Sequence, residues 1–440
     1  MPTKLISTGV EFPDGTTQTS AAVSGLEDGV FSKATKRQVA WKKTGNDTAE
    51  SATDLVVEVN GTVVEIPSGT SIQMPSGGLV AGTDYGIFAT EQGTLEVYEA
   101  FSGGGFVVTT DTGEAISFGG VGVDPQKTLF EDTTINYLGS TRPLGDTNGD
   151  GTVTGFDGFF ASQYAAGTLT DQAAIDFIEN GMLPFVNENP AAYAPYFGGR
   201  PERFVGGFHY APGGNASFSL DAGDGGTTPQ INEYSFYDLR WRPSVADPRG
   251  LTLVGDGAFW AGIYLMSANH LTGAVHKYNV DPCRDGNPPR LPDDSGNYPN
   301  AEPSNIFESL AYHGFRAPDY NEFQLLAYGV NEARSIGGSG PGSTGDVSDR
   351  GKDQQTSHWG VFDATGVLRV WGRDHILATS DQSLPDPSRG NRFRFERFAR
   401  LGGHWVDGSL SGSRGVVSRF ADDSLTLDGG RGVCSHIILD

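Results

Sequence analysis

Leu401-Gly-Gly-His404-Trp405-Val-Asp-Gly-Ser-Leu410-Ser-Gly-Ser-Arg414, then Gly415 to Asp428, then Gly429-Gly-Arg431-Gly-Val-Cys434-Ser-His-Ile-Ile-Leu-Asp440 decides how this chain is read. Two glycine-rich blocks flank a tolerant middle. Glycines permit tight backbone turns, and the Ile437-Ile-Leu439 run suits a buried terminal strand. Val417 to Asp428 follows neither a period of 2 nor one of 3.6. It reads as surface loop and short strand, where sequence is free to vary and contact is made.

Working outward, composition bounds the rest. A chain of 440 residues holds two or three domains and a sizeable core. Glycine, at 63 residues, is about twice its usual share. With no Gly-X-Y period this means many turns, hence short strands and long loops. A net charge of −24 argues against a nucleic-acid or anionic-membrane partner. It also leaves carboxylates spare for calcium. No stretch of about 20 apolar residues is present, so no membrane insertion is expected, and no signal-peptide core follows Lys4. Two cysteines make no disulfide framework. Cys283 and Cys434 can pair, but Cys434 sits in an apolar run and is read as a small buried thiol.

Four regions follow. Residues 1–50 are read as a β segment for trimerisation or attachment, too poor in apolar residues for a core of its own. Residues 51–140 are read as a β-sandwich. Leu55-Val-Val-Glu-Val59 and Thr62-Val-Val-Glu-Ile66 flank Asn60-Gly61, a hairpin signal, and a second pair flanks Gln92-Gly93. Residues 141–189 form an insert. There Asp146, Asn148, Asp150, Thr154 and Asp157 fall at loop positions 1, 3, 5, 9 and 12, Gly151 falls at the sharp bend, and Thr152 supplies a carbonyl. That spacing fits a Ca2+ loop of EF-hand type; the shorter Asp157 resembles the dockerin variant. The competing reading is an Asp/Asn/Gly-rich turn without an ion. A helix is expected through Phe159, Phe160 and Tyr164, and another from Asp171 to Gly181.

Residues 190–440 form the terminal domain, with Phe259–Leu271 at helix-compatible spacing. Two helices are expected near 303–331: one capped by Asn305 and stopped by Gly314, one capped by Asp319 with Glu322 completing a capping box. Residues 333–356 read as an exposed loop, and His358–Phe362, Gly366–Gly372 and Arg397–Leu401 as strands.

These strings resemble one family. Gly402-Gly403-x-Trp405, Ser409-Leu-Ser-Gly-Ser-Arg414 and Arg431-Gly-Val-Cys434-x-His436-x-Ile-Leu439 are similar to the C-terminal lectin-type domain of phage major tropism determinants and of diversity-generating retroelement variable proteins. Phe204–Tyr210, Tyr234–Pro243 and Asp247–Leu253 resemble the same domain almost in register. Gly82-Thr-Asp-Tyr85 with Gly93-Thr-Leu95 resembles that family's intermediate β domain, and Phe12-Pro-Asp14-Gly15-Thr-Thr-Gln-Thr19 resembles a tail-fibre attachment signature. The resemblance implies a mainly β chain with an α+β C-terminal domain of C-type lectin fold, the fold of formylglycine-generating enzymes. It implies a homotrimer at a phage tail-fibre tip, in contact with other tail-fibre proteins. The expected partner is a host cell-surface protein in preference to a polysaccharide.

The resemblance carries the variable, ligand-facing positions onto His404, Val406, Gly408, Leu410, Val417, Arg419, Phe420, Asp423, Leu425, Leu427 and Asp428, with Asp422 beside them. Leu410, Leu425 and Leu427 read equally as core. His404, Arg419, Asp423 and Asp428 read as exposed.

Catalysis is not expected. Arg316-Ala-Pro318-Asp-Tyr-Asn-Glu322-Phe323 resembles a helix of the formylglycine enzymes, but those need two cysteines near the C-terminus, and only Cys434 lies there. The eight histidines show no metal-ligand spacing. Glu302-Pro-Ser304 and Trp405-Val-Asp407 are poor copies of the triplets that calcium-dependent sugar lectins use. The alternative function is a carbohydrate-binding lectin or a tail-spike hydrolase on host polysaccharide. A third is a prophage-encoded or cellular display protein of the same fold.

Overall fold

The computed structural model describes residues 31–59, 62–98, 134–146 apart from 139, 171–182, 203–271 apart from 246, 273–375, 397–420 and 425–438, with short strands between 4 and 18, 106 and 118, and 384 and 392. These residues are mainly β, with a few short helices.

The largest sheet has eight strands. Its path runs His436–Ile438, Trp241–Pro243, Tyr237–Asp238, Arg203–Ala211, Thr83–Ala89, Leu95–Tyr98 and Ile72–Gln73, with Gln230–Ile231 paired beside Arg203–Ala211. Thr83 pairs antiparallel with Tyr210, Gly86 with Gly207 and Ala89 with Arg203. The sheet therefore crosses the boundary expected between a sandwich at 51–140 and a domain beginning at 190. One buried cluster unites Trp41, Leu55, Val57, Ile66, Tyr85 and Ile87 with Phe208 and Phe236. The rings of Tyr85 and Phe208 stack at 5.7 Å.

The hairpin of Leu55–Val59 and Thr62–Ile66 forms, pairing Val59 with Thr62, and Leu55, Val57 and Val59 turn inward as period-2 alternation demands. Phe31–Lys33 adds a third strand. Residues 31 to 51 of the expected attachment segment pack on their own chain; residues 19–30 lie outside the described residues. Buried Lys33 reaches Asp238 at 2.7 Å, and that carboxylate also accepts the N–H groups of Ala40, Arg240 and Trp241. Such a buried pair is tolerable because its remaining hydrogen-bonding capacity is filled.

Two smaller sheets build the C-terminal part. Leu251–Val254, Phe259–Gly262 and Val433–Cys434 form one. In the other, Val416–Phe420, Arg397–Leu401, Arg369–His375 and Asp428–Gly429 lie in that order. The helical spacing from Phe259 belongs instead to a fully buried strand followed by a loop, an ambiguity that periodicity cannot resolve in short apolar runs. His358–Phe362 is turn rather than strand. The terminal strand is half-exposed, because it lies at the end of the eight-stranded sheet, paired with Trp241–Pro243 alone among the described residues.

Of the two predicted helices, Tyr320–Leu326 has the Asp319/Glu322 capping box complete. The other, Pro303–Tyr312, starts earlier than expected, with Glu302 at the cap and Pro303 opening the first turn. Asn305 lies inside it and donates to Asn300; Gly314, at φ +80°, ends it. Residues 333–356 are not simply exposed: Thr344, Lys352, Gln355 and Thr356 are buried, and Lys352 pairs with buried Asp363. The helix Gln172–Phe177 is capped by Asp171 and leads into a π turn, Ile178–Met182. Cys283 and Cys434 are free and buried, and burial pushes the Cys434 thiol up to about 12.

Candidate functional site

The candidate residues sit on the turn 402–415 and the strand that follows it. Gly402 and Gly403, at φ +88° and +78°, reverse the chain; a β-carbon on Gly403 would lie 2.7 Å from Ser411 Cα, so no side chain fits there. Gly412 donates its N–H to the Gly402 carbonyl, and Gly402 donates to that of Gly415. The turn is thus closed on itself by backbone bonds. Ser335 adds a strut, its hydroxyl donating to the Trp405 carbonyl and accepting from the Gly408 N–H, both at 3.0 Å.

Beneath the turn lies a network of charges. Arg369 forks onto Asp407 through Nη2 at 2.8 Å and Nε at 3.1 Å. Asp407 also accepts the His404 N–H at 2.9 Å and lies 3.1 Å from His404 Nε2. The Val406 N–H donates to His404 Nδ1, so a neutral ring with its proton on Nε2 satisfies both contacts. Burial, with help from the nearby Arg369 charge, holds His404 below the usual histidine range. Arg400 donates to Asp428 at 2.7 Å, and burial pushes that carboxyl up despite its cationic neighbours. Three strands and one turn are pinned by side chains that hold one another.

The expected exposure of two residues is therefore corrected. His404 is 3% exposed and Asp428 is fully buried. Both are polar groups taken inside because arginine or aspartate partners meet them there. Val406 at 60% and Leu410 at 76% do face solvent, as do Gly408, Val417 and Arg419. That resolves the open choice for Leu410 in favour of the surface. Leu425 and Leu427 are half-buried, and Leu427 packs against the core beneath. Asp422 and Asp423, and the side chain of Phe420, lie outside the described residues. Val416 is exposed and was missed by sequence, although it adjoins Val417 on the strand bordering the four-stranded sheet.

The sugar-lectin triplets are committed elsewhere. Asp407 is taken up by Arg369 and His404, and the Glu302 carboxylate accepts from the Ser304 hydroxyl, with no capping bond from its side chain to the helix it precedes. Of the calcium loop, Asp146 is described and buried, with Arg142 Nε 3.3 Å from its carboxylate. Asn148, Asp150, Thr152, Thr154 and Asp157 lie outside the described residues, as does the helix expected through Phe159. Among the described residues, no helix is long and apolar enough to cross a membrane.

What the arrangement offers is a turn closed by its own hydrogen bonds, and a strand after it, both with exposed aliphatic side chains. No family model matches the chain. The tail fiber receptor-binding protein of Bordetella phage BPP-1 is 33% identical over 422 residues, covering 93% of this chain and 85% of that protein. Solved structures of the Major Tropism Determinant, variants I1 and U1, superpose with a TM-score of 0.68 at 32% identity, covering 98% of this chain and 93% of theirs.

Proposed function

From the premise that the chain belongs to the family of phage tail-fibre receptor-binding proteins that includes the Major Tropism Determinant, we propose that it sets phage tropism by gripping a host surface protein with the face around residues 404–428. The observation that carries this reading is the exposure of Val406 and Leu410 on a turn that the Arg369–Asp407 ion pair holds, with Val416 and Val417 exposed on the strand that follows. Side chains on a fixed backbone can be exchanged without refolding, which suits a C-type lectin scaffold displaying a variable surface. Preorganisation also limits the entropy lost on docking.

Aliphatic groups offer sugar hydroxyls no hydrogen bonds, which favours a protein partner over a polysaccharide. The chain acts as a homotrimer at the tail-fibre tip of the virion, beside other tail-fibre proteins. Three sites per trimer, repeated over the particle, raise a weak single contact by about 10²–10⁴-fold through avidity. Its work is binding without catalysis. Ca2+ in the loop from Asp146 to Asp157 serves as a structural staple. A melting curve unmoved by chelator, with no metal in the protein, would remove the ion from this account.

The deciding experiment is adhesion of the purified full-length protein to intact host cells. Pretreating the cells with protease should abolish adhesion, and periodate should leave it. The reverse pattern, or new reducing ends released from host polysaccharide, would instead favour a lectin or tail-spike hydrolase. Leu410→Asp should weaken adhesion at least ten-fold with the melting midpoint unchanged.

A further inference from the structure

We propose that residues 217–224 form a second lobe of the contact face, an apolar anchor that seats on the same receptor protein; the inference rests on the reading just given. Phe218 is 69% exposed and Leu220 is 53% exposed. They stand two residues apart in a loop that is tightly tied at both ends.

Ala216 donates its N–H to the Ser357 carbonyl at 3.2 Å, and Gly223 donates to that of Gly329 at 3.0 Å. Within the loop, the Ser217 N–H and hydroxyl both donate to the Asp224 carboxylate. Asp221 and Gly223 take left-handed backbone angles, φ +57° and +54°, which bring the chain back on itself. The Phe218 ring is oriented rather than loose. It lies 5.0 Å from Tyr328 and meets His358 edge-on at 4.9 Å. His358 is itself held by the Ala216 carbonyl at 2.9 Å and the Tyr234 hydroxyl at 2.8 Å. An aromatic side chain locked by such support, yet mostly open, has the character of an interface anchor.

The lobe adjoins the C-terminal turn across one residue. Asp221 accepts the Glu332 N–H at 2.6 Å, and the Glu332 carboxylate accepts the Ser413 N–H at 3.0 Å together with the Ser413 hydroxyl. A partner covering about 800 Å² per side, the usual size for a specific protein contact, spans loops that stand this close. Phe218, Leu220, Val406, Leu410, Val416 and Val417 carry no side-chain hydrogen-bonding group. The occupant they fit is an apolar protein surface. The anchor lies outside 404–428, so it contributes affinity whatever side chains that stretch displays.

The test compares full-length Phe218→Ser, Leu220→Lys, Leu410→Asp and, as a control on an exposed leucine outside both stretches, Leu138→Ser for adhesion to intact host cells, with melting curves and solution mass for each. Leu138 is 88% exposed, so it controls for general stickiness. The expected result is a loss of at least ten-fold for Phe218→Ser and for Leu220→Lys, with melting and mass unchanged and Leu138→Ser adhering normally. Leu220→Lys keeps the test open if Phe218→Ser disturbs folding. Loss from Leu410→Asp alone overturns the second lobe and keeps the face at 404–428. Loss from the two loop variants alone keeps the lobe and removes that face. Normal adhesion by all three overturns both. A changed solution mass for either loop variant assigns the loop to a contact between copies and overturns the proposal.

Discussion

Arg400 and Asp428 show what one residue does here. Both are buried, and their ion pair joins two strands of the four-stranded sheet across the strand Arg369–His375 that separates them. Removing one partner strands the other charge in a poorly solvated place. Arg400→Met should cost about 3–5 kcal/mol in urea unfolding. The double variant Arg400→Met with Asp428→Asn should recover most of that loss. His270 and His276 give a second residue-scale outcome. Burial pushes His270 down to about 4, while burial and the nearby Arg431 charge push His276 down to about 3. Below pH 6.5 the unfolded chain takes up protons that the folded chain refuses. Stability therefore falls as pH falls, until it levels off near those values. From pH 7 to pH 5 each histidine should remove about 2 kcal/mol, read as a lower melting midpoint. His270→Asn should flatten part of that slope.

At the scale of elements, the capping box that opens Tyr320–Leu326 was legible because its signal is local: Asp319 and Glu322 lie one turn apart and satisfy each other's backbone N–H. Asp319→Ala should cost about 1 kcal/mol in thermal unfolding. Asn305 misled for the converse reason. Glu302 and Pro303 already open that helix, and the Asn305 side chain finds Asn300 instead. The hairpin at 55–66 was legible from its β-branched runs around Asn60-Gly61; the inward turn of His404 and Asp428 was not. A lone histidine or aspartate in a glycine-rich stretch carries no periodic signal: His404 meets Asp407, which is held by Arg369 from 38 residues away, and Asp428 meets Arg400 from 28 residues away.

Over the whole molecule, the eight-stranded sheet sets what can be separated. A fragment of residues 190–440 lacks Thr83–Ala89 and leaves Arg203–Ala211 with one side unpaired. It also strips Tyr85, Ile87 and Trp41 from the cluster around Phe208. Such an edge with an uncovered apolar face is an aggregation template. The fragment should be insoluble or unfolded by circular dichroism, whereas a chain beginning at residue 31 should retain the sheet. A soluble, cooperatively melting 190–440 fragment would contradict this account.

Sequence alone determined the β-rich class, the hairpins, the box-capped helix and the family, because these rest on neighbouring residues: turn glycines, alternation, caps and short motifs read in order. Tertiary structure decided which strands share a sheet, which candidate side chains face out and which are locked beneath them. Those outcomes depend on partners brought together from far along the chain, and burial of a charge is settled by the partner that meets it.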